Sequence, residues 1–379
     1  MKTIRSLTLA AVTFAAIQVT ATSTIAPDST DTGKKDDRNV MLNAADANKP
    51  REIQIGLPSE DVTVYENGLP AVYSSTVHKL SAHWRNDASL AGMGLMTPSE
   101  SAIATGNIAY SVTAFSEIGQ KEFKGKLNYH ANHFGQQTFD LNLSGSMSAN
   151  WLYTFGTYQN FDPGSFRLRY ADYADRTELY HLGITRLLGT QGRVSLLYKH
   201  SRSKNPGNFA NAAPFIYKGD GSIEKVQGFD PGLDSYVPRS GSFRYMDTMT
   251  GQMMTWNLTD AQENRANEIA LIADYTFANG LQWKLNAKYM DAPRADYVDF
   301  GGSTISRVTA ADGYTVEDGS AYEGLIEGRR TWLHFGKVRN ALLTTEMNKR
   351  LGNHKLMVGL NEWYYHLDYH SASSQVAGT

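Results

Sequence analysis

The feature that most constrains this chain is a strict alternation of apolar and polar residues that begins at residue 123. In residues 123–132 every odd position is apolar or small and every even position is polar, which is typical of a strand with two unlike faces. Eight further segments repeat the pattern, starting near residues 138, 151, 180, 194, 269, 281, 341 and 356. We therefore expect a mostly β fold with about nine antiparallel strands.

Tight and long connections separate these strands in an ordered way. Four junctions are only a few residues long, at 146–150, 190–192, 278–280 and 352–353, and three are long, at 160–178, 202–266 and 291–338. An outer-membrane β-barrel has short turns on one side and long loops on the other, with a polar face toward a wet lumen. A large soluble β-sandwich is the alternative. Because closed bacterial barrels have an even number of strands, we expect the natural chain to continue past Thr379.

The N-terminus predicts export from the cytoplasm. Lys2 and Arg5 precede a short apolar run, and Val19-Thr20-Ala21 fits a small-residue cleavage site, so residues 1–21 have the features of a secretory signal peptide. Residues 22–39 are polar and lack apolar periodicity. We expect this segment to be a disordered N-terminal tail.

Composition and motifs exclude several functions. The chain has no cysteine and a net charge of −2, which argues against a disulfide framework, a thiolate metal site and a nucleic-acid partner. A mean hydropathy of −0.41 argues against a bundle of membrane helices. The sequence contains no nucleophile elbow, P-loop or His-Glu-x-x-His motif, and His130 and His133 fall on opposite faces of a strand. We predict no enzyme activity, no metal site and no cofactor.

Residues 40–118 show a different pattern. Residues 62–66 predict a strand, Asn67-Gly68 a hairpin turn, and residues 69–73 a second strand. Further on, Gly106 precedes an apolar strand at 108–112. These features resemble the plug domain of TonB-dependent outer-membrane receptors, and the strand that begins at Phe123 is similar to the first barrel strand of that family.

The resemblance implies an architecture, a function and partners. It implies a small α/β plug domain at 40–118 and, at 119–379, the N-terminal portion of an antiparallel transmembrane β-barrel of the outer membrane. The family takes up a scarce solute, such as a siderophore, glycan, peptide or cofactor, with energy from a TonB-type coupling protein. Val40-Met41-Leu42 is the candidate segment for that protein. Outer-membrane lipid and the small solute are the other expected partners, and a surface lipoprotein is a further candidate.

Candidate ligand contacts lie in the plug and in the first long loop. Trp84 and Arg85 would face a ligand if their segment forms the apex of the plug. The loop combines aromatic, arginine and aspartate side chains, which suit a polar ligand. Its candidates are Arg167, Arg169, Tyr170, Asp172, Tyr173 and Asp175. A purely structural role for these side chains is the alternative.

A second function class stays open at this point. A passive porin-like or adhesion barrel would share the strand pattern but would need no energy-coupling partner and no separate plug. An outer-membrane hydrolase would need Ser, His and acidic side chains on one strand face near the rim, and no such set is found in the sequence.

Overall fold

The computed structural model describes residues 16–20, 63–73, 80–96, 101–102, 111–164, 173–205, 215–225, 227, 242–257, 262–316 and 318–378. These residues form sheets almost throughout, as the alternation predicts. Within these ranges no helix is long and apolar enough to cross a membrane. The tail at 22–39 and the candidate coupling segment Val40-Met41-Leu42 lie outside the described residues, so both stay predictions.

A small mixed sheet forms the plug, by which we mean the described residues between 63 and 120. After β1 (Ala16–Thr20) in the chain come the strands of this sheet: β2 (Thr63–Glu66), β3 (Leu69–Pro70), β4 (Leu90–Met96) and β5 (Ser111–Ser116). They lie in the order β3-β2-β5-β4, with β2 parallel to β5. Asn67 and Gly68 both have positive φ, at 53° and 80°, and make the predicted hairpin turn.

The plug has a compact apolar core. Trp84 packs with Leu90 and Val112, and Ala71 and Ala114 complete the cluster. A 3₁₀ turn at Ser81–His83 leads into this segment. The exact boundaries of the plug and barrel domains stay predictions.

The second part of the chain is one large antiparallel sheet, the wall. Its strands are β6 (Lys124–Ala131), β7 (Gln137–Ser148), β8 (Trp151–Asp162), β9 (Asp175–Leu187), β10 (Gly192–Asn205), β15 (Gln262–Thr276), β16 (Gln282–Ala295), β17 (Tyr297–Val308), β18 (Gly324–Leu351) and β19 (His354–Gly378). Their order is β19-β18-β16-β15-β10-β9-β8-β7-β6. All nine predicted strands are confirmed, and the sheet is open rather than closed into a barrel.

Two short hairpins lie in the connection between β10 and β15. They are β11 (Phe215–Tyr217) with β12 (Ile223–Lys225), and β13 (Ser242–Met246) with β14 (Met253–Asn257). The prediction of a single long loop at 202–266 was therefore too simple.

The third predicted loop was wrong in most of its length. Residues 291–338 include all of β17 and the first half of β18, which pair with each other from Tyr297↔His334 to Val308↔Gly324. β16 and β17 pair with the same neighbour, β18, one after the other: β17 with its first half and β16 with its second half. The ladder shifts register between Gly301 and Ser303, and this bulge interrupts the period-two pattern on which the prediction depended.

The wall exposes its apolar face and buries its polar face. In the middle of β9 the exposed side chains are Tyr180, Leu182 and Ile184, whereas Thr177 and Thr185 are fully buried. A soluble sandwich would bury the apolar face, so that alternative does not fit. An outward apolar band is the arrangement of a sheet that faces lipid.

The first strand, β1, lies within the predicted signal peptide. It pairs antiparallel with β19, from Ala16↔Gly359 to Thr20↔Lys355. If residues 1–21 are cleaved, as the sequence predicts, this edge of β19 becomes free to pair with another strand.

Candidate functional site

The polar inner face of the wall binds the plug through strands spread across the whole sheet. Lys126 of β6 donates to the carbonyl oxygen of Leu90 at 2.7 Å, and Asn340 of β18 donates to that of Tyr73 at 2.8 Å. Gly156 of β8 lies so close to Ser89 that a Cβ atom built on it would be 2.0 Å from Ser89 Oγ. The plug is therefore held on many sides and not along a single edge.

A buried ion cluster lies at the centre of this interface. Lys199 Nζ of β10 is 2.6 Å from Glu66 of the plug and 3.7 Å from Glu268 of β15, and Lys288 Nζ of β16 is 3.1 Å from Glu268. All four side chains are 5–7% exposed. The two carboxylates and two ammonium groups balance, which is the condition under which buried charges are tolerated. Burial raises the pKa of Glu66, but Lys199 outweighs this effect and the net pKa is lowered.

His83 of the plug completes the cluster. Its Nδ1 lies 2.7 Å from Ser201 Oγ and its Nε2 lies 3.2 Å from Glu268 Oε2. A neutral ring satisfies both contacts when Nε2–H donates to the carboxylate and Nδ1 accepts from the hydroxyl. Burial lowers the pKa of His83, and Lys199 and Lys288 lower it further against the opposing effect of Glu268. The ring is therefore neutral, and the cluster keeps zero net charge.

A second polar cluster holds the segment that follows Arg85. Asp87 is 3.1 Å from His181 Nε2 of β9 and accepts the Ser89 amide at 2.8 Å. Burial raises the pKa of Asp87, but His181 and the amide outweigh burial and the net pKa is lowered. Asp140 of β7 accepts the Ala88 amide through both carboxylate oxygens, at 2.9 and 2.8 Å. These contacts fix the backbone of residues 87–89 against the wall.

The predicted ligand residues separate into different environments. Trp84 is in the plug core. Arg85 is buried and donates to the Trp84 carbonyl at 3.1 Å and to Thr177 Oγ1 of β9 at 3.3 Å. Thr177 in turn donates to Asp175 at 3.1 Å. The structure therefore brings Arg85 and Asp175 to one network at the long-loop end of β9.

The remaining loop candidates are only partly described. Tyr173 lies beside Phe161, with ring centroids 6.4 Å apart. Arg167, Arg169, Tyr170 and Asp172 lie outside the described residues. Whether any of these side chains contacts a solute stays a prediction.

Sequence reasoning missed the ion cluster as a functional unit. Lys199, Glu268 and Lys288 lie on the polar faces of their predicted strands, but that face was assigned to a water-filled lumen. The structure shows these side chains against the plug instead. A charged residue in the middle of a half-apolar strand is the one signal that could have identified them.

A small cavity lies beside the cluster, lined in part by Glu66, Asn67, Ser116, Lys199 and Glu268. Among the described residues no group of three or more His, Cys, Asp or Glu side chains could hold a metal ion. The arrangement offers hydrogen bonds and ion pairs that hold two parts of the chain together.

Comparisons with known proteins give a structural match only. No protein-family model matches the chain, and no curated protein matches it significantly. The described fold matches the structure of FpvA of P. aeruginosa bound to heterologous pyoverdines, with a TM-score of 0.53 at 12% identity. It also matches the FpvAI–pyocin S2 complex, with a TM-score of 0.51 at 12% identity.

The chain has the plug-and-barrel fold of these proteins. Each match covers 82% of this chain and 36% of the matched chain, so the chain spans about a third of their length. The match confirms the fold that the resemblance to TonB-dependent receptors implied. The ten wall strands of the described residues form an open sheet, which agrees with the presence of only the first part of such a barrel.

Proposed function

We propose that this chain is the plug and first barrel portion of an outer-membrane receptor for energy-coupled uptake of a scarce solute. One observation carries the proposal: a separately folded plug is bound to the polar face of a sheet whose apolar face points outward. A large barrel without a plug is an open aqueous channel. The plug would close it until a coupling protein moves the plug.

The chemistry of the interface suits a plug that is held firmly and can still be released. The wall and plug share hydrogen bonds and ion pairs, which water can replace one by one when the plug is pulled. An apolar interface of the same area would expose apolar surface to water on release, and water forms no bonds that replace the lost contacts. In this proposal a TonB-type protein engages the segment at Val40-Met41-Leu42 and transmits the pull to β2.

The solute is proposed to bind on the long-loop side of the wall. Arg85 and Asp175 already share a network there, and the loop residues Arg167, Arg169, Tyr170, Asp172 and Tyr173 would extend it. The matched FpvA structure is of a complex with pyoverdine and iron. A ferric siderophore is therefore the first solute to test, and it would be the receptor's cargo.

The test is a deletion of residues 27–118 from the protein as its gene encodes it, expressed in a Gram-negative host. We expect sensitivity to vancomycin, which is too large for general porins, to rise strongly, and purified protein to conduct ions as a large open channel. The full chain should do neither. Heat-modifiable migration on a gel confirms that the barrel still folds. If a folded deletion variant is no more permeable than the full chain, the plug does not close a channel and the passive-barrel alternative is favoured.

Energy coupling is tested separately by binding. The periplasmic domain of a TonB-type protein should bind the full chain, and Met41→Pro should abolish binding because proline removes an amide donor that strand pairing requires. Ser29→Pro in the neighbouring tail is the matched control. Equal binding by both variants would reject this segment as the contact.

A further inference from the structure

An unusual concentration of methionine lies on the hairpin formed by β13 and β14. Four of the twelve methionines of the chain fall within residues 246–254. They are Met246, Met249, Met253 and Met254, and all four are solvent-exposed, at 55%, 72%, 52% and 42%. All four side chains thus present sulfur or apolar surface to solvent.

The hairpin lies beyond the membrane on the long-loop side. Its buried residues Tyr245 and Trp256 pack on Phe335 of β18, with ring centroids 6.1 and 6.0 Å away. Phe335 is sixteen residues from Leu351, at the tight-turn end of β18. This is about 53 Å along the strand and, at the usual strand tilt of 35–45°, about 40 Å along the membrane normal. The apolar band of a barrel is only about 25 Å tall. The methionines are therefore outside the lipid and face water.

The register of the hairpin separates its methionines between two faces. Tyr245 pairs with Met254, and Met246 pairs with Met253. Because successive residues of a strand face opposite sides, Tyr245 and Met254 share the inner face and Met246 and Met253 share the outer face. The two outer thioethers do not contribute to the buried core.

The register brings these two side chains close together. The Asp247 amide donates to the Gln252 carbonyl at 2.9 Å, so the adjacent pair, Met246 and Met253, is a non-hydrogen-bonded pair. The side chains of such pairs are the closer ones in an antiparallel ladder, with Cβ atoms about 4.5–5.5 Å apart. At that separation, two flexible side chains can bring their sulfur atoms within reach of a single bound ion.

The turn supplies a third thioether on a fixed backbone. Asp247 accepts the Met249 amide at 2.9 Å and the Thr250 hydroxyl at 3.0 Å. Its carboxylate also lies 3.7 Å from His370 of β19, and Thr248 donates to the Ser371 carbonyl at 2.9 Å. The turn that carries Met249 is therefore held both internally and against the wall.

We propose that Met246, Met249 and Met253 form a binding site for Cu(I). Thioether sulfur is a soft, uncharged ligand, which favours Cu(I) over hard cations such as Mg²⁺ and Ca²⁺. The proposal does not depend on the transport function: a surface site for Cu(I) would exist on a receptor or on a passive barrel.

The test uses the full chain in detergent, without oxygen, with Cu(I) supplied as its complex with a colorimetric chelator. We expect the protein to remove about one equivalent of Cu(I), and the paired variant Met246→Leu/Met253→Leu to bind at least about tenfold more weakly, because leucine keeps the apolar volume but removes the sulfur. Met254→Leu, on the inner face of the same hairpin, is the matched control and should bind as the unchanged protein does.

Each other outcome rejects the site. If the unchanged protein takes no Cu(I) from the chelator, the exposed methionines are only an apolar surface. If the paired variant binds Cu(I) as tightly as the unchanged protein, the ion is held elsewhere. Sulfur coordination seen by X-ray absorption in the bound sample, and absent from the paired variant, would identify the ligands directly.

Discussion

Replacing Glu268 by Gln should loosen the plug more than any other single change at the interface. Among the described residues, Glu268 is the one carboxylate that contacts both Lys199 and Lys288, so its loss leaves two buried ammonium groups with Glu66 as their carboxylate partner. Removing one partner of a buried ion pair typically destabilises a protein by about 3–5 kcal/mol. If the plug opens as a unit, the population of the open state, from which its amides exchange, should rise about 150- to 5,000-fold.

Hydrogen exchange followed by mass spectrometry measures this opening in the intact protein. Peptides that cover β2 and β5 should exchange faster in the Glu268→Gln variant, while peptides from β9 stay unchanged. Adding Lys288→Met restores the charge balance and should recover most of the protection. Glu346→Gln is the matched control, because its pair with Lys284 is 3.8 Å long and half-exposed and should contribute at most about 1 kcal/mol. Unchanged exchange in β2 and β5, or no recovery in the double variant, would refute the reasoning.

Three further predictions follow from the same structure. The pKa of His83 is lowered in the folded chain, so as the pH falls the released plug takes up a proton at a higher pH than the bound plug does. Protection of the plug amides should therefore hold above about pH 6.5 and fall below it by up to about 1.4 kcal/mol per pH unit. His83→Gln should flatten this pH profile. Gly119→Ala places a Cβ atom 2.8 Å from two wall atoms at φ +98° and should lower the melting temperature, whereas Gly221→Ala, at φ +89° in open space, reports the backbone effect alone. Leu196→Lys on the exposed apolar face should reduce barrel assembly in vesicles by about 2–4 kcal/mol, whereas Thr190→Lys in the exposed tight turn should assemble normally.

Period-two alternation predicted the strands that keep one polar and one apolar face along their whole length. β9 and β10 are examples, joined at a tight turn and paired from Arg193↔Leu187 to Lys204↔Arg176. The signal is strong here because one face is apolar and exposed and the other meets the plug, and a slip of one residue would exchange them.

The same rule failed where the strand is not regular. β17 contains Gly301 and Gly302 and shifts register at that point, so its alternation changes phase. β18 is 28 residues long, far more than the 9–11 residues of a typical membrane-crossing strand, and its first half pairs with β17. No pattern derived from a membrane-spanning strand predicts that extension.

The plug–wall contacts could not be predicted from the sequence because their partners are far apart in it. Glu66 and Lys199 are separated by 133 residues, and the Ala71 carbonyl and Lys288 by 217. Polarity placed the lysines on the inner face, but only the fold decides which acidic group each one meets. For the same reason the sequence could not show that Trp84 packs in the apolar cluster of the plug.

The proposed function depends most directly on the position of the plug against the inner face of the wall. Ser89 and Gly156 test it, because a Cβ atom built on Gly156 is 3.3 Å from Ser89 Cβ, close to the 3.5–4.5 Å of a disulfide. Residues 1–379 contain no cysteine that could interfere. The measurement is oxidation of the Ser89→Cys/Gly156→Cys variant in intact outer membranes, followed by a non-reducing gel. We expect nearly complete, reducible cross-linking of plug to wall. If Thr344→Cys/Asn361→Cys, facing each other across β18 and β19, cross-links while the first pair stays reduced, the plug does not lie against this face of the wall.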